Sequence, residues 1–496
     1  MASRSKAGAV VASVATAAAL VVAIKMFAGK MPKSEPTPFF LKSDKHRAVV
    51  EVIHEHLDYL SGDSLVKIVR QLEFWVQEDM EESELVELTK RLVHAATWQR
   101  RIGDFQVPKV RFGRTEIQMP LVTCGTMRFQ HTWMPDFLPI VINKKKVVKT
   151  PSQVNLQEVV RQCLKMGINH FETARFYGTS ETQLMHALTA LIEKGEIKRS
   201  DFILQTKLPI RPSPEWEKFF EQSWKIFEPL GYIDLLSFWC VSKNGEVDLA
   251  LSDDKDGIMA CALEWKRQGK IKHIGFSTHG SAENIMRMIE SNKFDYVNLH
   301  YHYFGSYHAE GTSDGEGGHG NLACVKRALE LDMGVFNISP VDKGGRLYQP
   351  SVQVARTIGP KLTPIAFGIL SSWMSGMHTV SVGFARPEDL TEALEAVELY
   401  TRKAETLPLL ENATNRLNKL AQDRLGDEWY EKGLLNIPSA LQRECNGIGL
   451  GHVLWCYNML HAFGMYDTAK DRYGKLESIG KSWKKKKSYE ENMKAL

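Results

Sequence analysis

Between residues 121 and 383 short apolar runs alternate with longer amphipathic stretches. The runs fall at 121–126, 169–174, 202–207, 234–239, 272–277, 296–300, 334–338 and 379–383. Each has the length of a strand buried on both faces, and the intervals between them are helix-sized, which predicts parallel strands joined by helical crossovers. Eight such units in one domain predict an α/β fold, a (β/α)8 TIM barrel. An open doubly wound sheet shares the alternation, but no G-x-G-x-x-G links a first strand to its helix. The stretch 109–118, ahead of the first run, reads as a small hairpin closing the barrel floor.

Upstream the period changes. Leu65, Ile68, Val69, Leu72, Trp75 and Val76 recur at helical spacing after a Ser61-Gly62 break, with Asp63 or Ser64 as the expected cap, and a second helix is expected from about Ser83 to Trp98. These belong to a helical module over 45–105, read as a small bundle or as a partner-docking surface. Before it, 31–44 is an extended linker with Pro32, Pro36 and Pro38. Residues 7–24 carry no charge and follow Arg4 and Lys6. At about 1.5 Å per residue they would just span a bilayer core of roughly 30 Å. Their alanine-rich composition leaves a membrane anchor, a cleaved signal and an organelle-targeting segment open for the leader 1–30. The barrel is expected over 106–400, a helical extension over 401–480, and a basic tail over 481–496.

Composition narrows the partners. The 496 residues are 43% hydrophobic and 25% charged, as in a globular protein with a full core. The net charge of +4 is too balanced for a nucleic-acid partner to be expected. Seven cysteines without pairing rhythm favour a reducing compartment for the barrel. No metal site is expected: Glu51, His54 and His56 lack ligand spacing, and of His279, His300 and His302 only the last two share a strand face.

The chemistry concentrates in Gly167-Ile168-Asn169-His170-Phe171-Glu172-Thr173-Ala174-Arg175-Phe176-Tyr177-Gly178, a short buried strand that brings an acid and a tyrosine to its C-terminal end. That is the end at which α/β barrels hold their active sites. The run resembles the aldo-keto reductase pattern G-I-N-x-F-D-T-A-x-x-Y-G. The resemblance extends over roughly 110–475. Leu121-Val122-Thr123-Cys124-Gly125-Thr126-Met127-Arg128 is similar to the family's first strand and turn, and Gln205-Thr206-Lys207 to its third strand. The stretch 269–279 is similar to the segment that holds the nicotinamide carboxamide, 338–345 to the pyrophosphate loop, and 383–389 to the adenosine segment.

The resemblance implies NADP-dependent reduction of an aldehyde or ketone, with NAD left open as the cofactor and a small carbonyl compound as substrate. It implies cofactor contacts at Gly125, Thr126, Ser277, Thr278, Asn298, Ser339, Lys343, Gly344, Gly383 and Arg386, and a tetrad in which Tyr177 gives a proton and Lys207 lowers its pKa. Two tetrad positions depart from the family. Glu172 stands where it has aspartate, moving the carboxylate about 1.5 Å outward, and Trp239 where it has histidine. Indole has one N–H donor and shuttles no proton. These changes also fit a nucleotide-binding pseudoenzyme or a protein-interaction scaffold.

The extension resembles a ferredoxin-like segment, C-x-x-C-x-x-C-x-x-C, found at the end of some relatives. Here the register reads Asn436, Ser439, Gln442 and Cys445. A [4Fe–4S] cluster needs four thiolates, so none is expected, while helices around Leu454, Leu460 and Tyr466 are expected to pack on the barrel. Anaerobic reconstitution followed by iron analysis is expected to find no stoichiometric iron; about four irons per chain would overturn this reading.

Overall fold

The structure, a computed structural model, describes residues 49, 51–53, 55–56, 60, 62–75, 81–101, 105–129, 151–301, 303–304, 321–341, 346–384, 387–435, 444–445 and 448–473. The leader segment 7–24, the linker, the basic tail, and Asn436, Ser439, Gln442, Lys343, Gly344, Arg386 and His302 lie outside the described residues. Among the described residues no helix is long and apolar enough to cross a membrane. The chain divides into two compact units, residues 1–104 with 359–362 and residues 105–358 with 363–496.

The first unit contains α1, Gly62–Trp75, and α2, Glu82–Arg101. Ile68 and Leu72 on α1 and Leu85, Leu88 and Val93 on α2 are buried at helical spacing. Helix α1 starts at Gly62 itself, so Asp63 and Ser64 lie inside its first turn rather than capping it. Helix α2 opens with Glu82 and Glu84, acids that favour the positive end of the helix dipole.

The second unit is built on the barrel. A hairpin of β1, Lys109–Arg111, and β2, Gln118–Pro120, precedes eight parallel strands. They are β3 Val122–Gly125, β4 His170–Glu172, β5 Ile203–Pro209, β6 Ile233–Trp239, β7 Ile271–Ser277, β8 Tyr296–Leu299, β9 Gly334–Ile338 and β10 Thr379–Gly383. They close in order, β10 pairing with β3 through Gly383 and Gly125. Each strand falls within or overlaps one of the eight apolar runs. Among the crossover helices are α3 Pro151–Lys165, α4 Ser180–Glu193, α5 Ser213–Phe227 and α6 Ala282–Glu290. Helix α6 shows the local logic: the Ser281 hydroxyl accepts the Asn284 N–H at 3.3 Å as a cap, and Ile285, Met288 and Ile289 turn inward.

The hairpin seals the floor. Phe112 is fully buried with its ring 5.8 Å from that of Tyr296, which begins β8. Gly113 follows with φ +52, and a Cβ there would collide with the backbone of Asp332 and Met333. Inside, Thr123 bonds both His170 Nδ1 at 2.8 Å and Thr379 at 2.9 Å, and Ser237 bonds Gln205 and Tyr296, each at 2.9 Å.

The extension packs on the same unit through α7, Lys403–Leu425, α8, Leu450–His461, and α9, Tyr466–Tyr473. The helices lie where the sequence places them, but Leu460 and Tyr466 are exposed; Trp455, Met459, Phe463 and Met465 make the buried face. The Trp455 indole donates to the Phe304 carbonyl at 2.9 Å, Tyr303 donates to Asn418 at 2.6 Å, and Arg346 pairs with Asp471 at 2.6 Å.

His170 predicts a pH dependence of stability. Burial lowers its pKa from 6.5 to about 3, so between these values the unfolded chain binds the extra proton. Stability is therefore full above pH 6.5 and falls as pH drops toward 3. Urea midpoints are expected to fall more steeply from pH 7 to pH 5 in the wild type than in His170→Asn.

Candidate active site

Tyr177 lies on the loop that continues β4 into α4. Two backbone bonds hang this loop on β5: Thr173 N–H to Gln205 O and Arg175 N–H to Lys207 O, both 2.9 Å. The tyrosine's own N–H bonds Ala174 O at 3.0 Å, and its carbonyl accepts from the Ser180 N–H at 3.0 Å. The side chain therefore stands on a fixed turn at the C-terminal end of the barrel.

Below the loop a second network is wholly buried. The Arg175 guanidinium pairs with the Glu181 carboxylate, and both side chains are at most 1% exposed. Glu181 also accepts from Thr206 at 2.5 Å and from Ser223 at 2.9 Å, tying the loop to β5 and α5. Neither Arg175 nor Glu181 is singled out by the sequence pattern, in which Arg175 occupies a variable position of the motif.

The structure brings the four predicted tetrad positions together. Lys207 Nζ forms an ion pair with Glu172, donates to Thr173 O at 2.9 Å and reaches the Tyr177 hydroxyl at 3.4 Å. The longer glutamate thus still meets the lysine. Trp239, at the end of β6, sets its ring edge-on to Tyr177 at 6.1 Å and to Phe176 at 5.7 Å, and Phe219 packs on Phe176 at 5.2 Å. Burial lowers the Lys207 pKa, and the carboxylate in contact with it works to keep the proton in place. Burial, aided by Cys240, pushes the Tyr177 phenol well above its ordinary value, opposite to the lowering by Lys207 that the resemblance implies, so it carries its proton at neutral pH.

The predicted cofactor positions behave differently from one another. Ser277 and Asn298 face each other across β7 and β8. Asn298 is fully buried, and neither its amide oxygen nor its nitrogen has a hydrogen-bond partner among the described residues. An amide buried in that state suits a ligand with its own donor and acceptor, such as a carboxamide. Ser277 accepts from the Cys240 N–H at 3.0 Å. Thr126 bonds Glu172 O at 2.9 Å and Thr278 bonds Val241 O at 2.7 Å, so both hydroxyls serve the loops themselves. Gly125 and Gly383 flank the seam of the barrel mouth, the latter exposed beside Arg128.

Two strand ends are strained in a way the sequence does not signal. Cys240 after β6 has φ +59 and Ser339 after β9 has φ +61, a left-handed conformation that non-glycine residues avoid. The histidines also regroup: the rings of His279 and His300 lie 6.3 Å apart, whereas alternation groups His300 with His302. Among the described residues no cluster of ligating side chains could hold a metal ion.

Residues 122–349 match the family model "Aldo/keto reductase family". Residues 122–349 form an aldo/keto reductase domain. That match supports an oxidoreductase class for the barrel. Solved structures with a similar chain path include a Bacillus halodurans aldo-keto reductase in its holo form, at TM-score 0.45 and 17% identity, covering 62% of this chain and 96% of that one. A Bombyx mori aldo-keto reductase in complex with NADP has TM-score 0.43 and 16% identity, covering 62% and 94%. The aldose reductase of Schistosoma japonicum has TM-score 0.40 and 17% identity, covering 58% and 86%. No curated protein sequence matches the chain.

The Arg175–Glu181 network generates a stability prediction. Glu181→Ala leaves a guanidinium inside the barrel wall without its carboxylate, a change that typically costs about 3–5 kcal/mol. Urea denaturation measures it; a loss below about 1 kcal/mol would show that the pair does not anchor the loop.

Proposed function

We propose that this aldo/keto reductase barrel reduces the carbonyl group of an aldehyde or ketone at the expense of a reduced nicotinamide dinucleotide, with NADPH preferred. One observation carries the reading: the Tyr177 hydroxyl, the Lys207 ammonium and the Glu172 carboxylate form a connected chain at the barrel mouth. Ser277 and the unpartnered amide of Asn298 would hold the carboxamide of the nicotinamide. When bound, that ring supplies the hydride.

The protein's own residues supply the proton. Tyr177, kept protonated by burial, gives its phenolic hydrogen to the carbonyl oxygen as that oxygen gains charge. Lys207 then faces a phenolate at hydrogen-bond distance and stabilises it until solvent returns a proton. Glu172 keeps the ammonium charged and aimed. Trp239 takes no part in proton transfer; with Phe176 and Phe219 it forms an aromatic wall beside the tyrosine that suits an apolar, planar carbonyl compound. The same indole, standing where the family has histidine, is the observation that favours the second reading, a barrel that binds nucleotide without turnover.

Tyr177→Phe separates the two. General acid catalysis contributes about 10²- to 10⁴-fold, so the variant is expected to lose at least about a hundredfold in kcat on a panel of aromatic and aliphatic aldehydes. The fluorescence-titrated NADPH Kd is expected to stay within about twofold, because the hydroxyl acts on the transition state. Equal slow rates in wild type and variant would overturn the reductase mechanism, and absence of NADPH binding would overturn both readings.

A further inference from the structure

The Glu172 carboxylate is held from two sides. Oε1 meets Lys207, while Oε2 accepts a hydrogen bond of 2.9 Å from the hydroxyl of Ser381 on β10. The serine does not belong to a neighbouring strand: β4 pairs with β3, and β3 pairs with β10, so the bond passes over one intervening strand. It passes over Gly125, the residue paired with Glu172.

Gly125 has φ −77 and ψ 123, a conformation open to any residue, so its backbone does not call for glycine. Space does. A Cβ at this position would sit 2.5 Å from Ser381 Oγ and 3.4 Å from Glu172 Oε2. Side-chain length completes the argument: an aspartate at position 172 would end roughly 1.5 Å short, too far for the serine bond without rearrangement.

We propose that Ser381 is a positioning residue for the reaction, its hydroxyl fixing the Glu172 carboxylate against Lys207, and that Gly125 is the vacancy that lets the two side chains meet. The proposal rests on the reductase reading of the site. Ser381 touches no reacting atom; it acts through Glu172, and Glu172 through Lys207, on Tyr177. Glutamate, serine and glycine form one unit, in which the glycine makes the room and the serine fixes the free oxygen of the acid.

The test is a double-mutant cycle on the full-length chain. Ser381→Ala removes the donor and is expected to lower kcat on the order of tenfold with little change in KM for NADPH. It is also expected to move the acid limb of the kcat profile upward by about one pH unit, because the charged carboxylate loses a hydrogen bond. Ser381→Thr, which keeps a hydroxyl, is expected to retain the wild-type limb. In a Glu172→Asp background the same Ser381→Ala change is expected to alter kcat by less than about twofold, since the shorter acid does not reach the serine. Gly125→Ala, which crowds the hydroxyl, is expected to reproduce the shifted limb.

A second readout needs no turnover. The Glu172 carboxyl is followed by NMR of carboxyl-¹³C glutamate, assigned with Glu172→Gln, and its titration is expected to move upward in Ser381→Ala. If the wild type reduces no carbonyl but the titration moves, the reductase reading fails and the buttress stands. If the titration is unmoved, or if Ser381→Ala has equal effects in the wild-type and Glu172→Asp backgrounds, the proposal is overturned.

Discussion

An ammonium group sealed inside a protein persists only beside a negative charge, because the loss of its water shell costs several kcal/mol that nothing apolar repays. Lys207 is such a group, 1% exposed on β5. Its partner must come from a neighbouring strand, and Glu172 at the end of β4 is that partner. The turn carrying Tyr177 is bonded to the backbone of the same strand as the lysine. The charge pair and the phenol are therefore fixed by one set of strand registers, so a slip of β4 against β5 would separate all three at once.

The barrel was legible because its strands are buried on both faces and read as continuous apolar runs, with helix-length spacers between them. The floor hairpin was legible too, since 109–118 contains the turn that the structure forms between Arg111 and Gln118. Tyr177, Lys207, Glu172 and Trp239 could be named because the motifs around them resemble the family's pattern, which strand position alone would not have singled out. What escaped were partners joined only by closure of the sheet. Ser381 is 209 residues from Glu172, and no periodicity links them. Arg175 and Glu181 are near in sequence, but as charged residues in a polar stretch they look solvated until α5 covers them. The extension shows the same limit: its helices were foreseeable, while the choice of Trp455 over Leu460 for the buried face depends on which side the barrel presents.

The two departures from the family pattern have unlike physical characters. Replacing aspartate by glutamate changes reach and leaves charge alone, and reach is something a surrounding structure can absorb, here by meeting the carboxylate with a hydroxyl further round the barrel. Replacing histidine by tryptophan removes an acceptor and a titrating nitrogen and installs an apolar surface. The first thus changes reach alone, whereas the second changes the kind of surface packed beside Tyr177.

The latches on the rim carry a consequence for how the chain acquires its form. Trp455 reaches back 151 residues to Phe304, and Asp471 reaches back 125 residues to Arg346. Contacts across such separations meet a large loop-closure entropy unless the intervening chain has already collapsed. The strands between them must close first, and only then do the last helices find their seats. Phe304 and Arg346 therefore acquire their final neighbours only once the helices that follow the eight-stranded wall have been made.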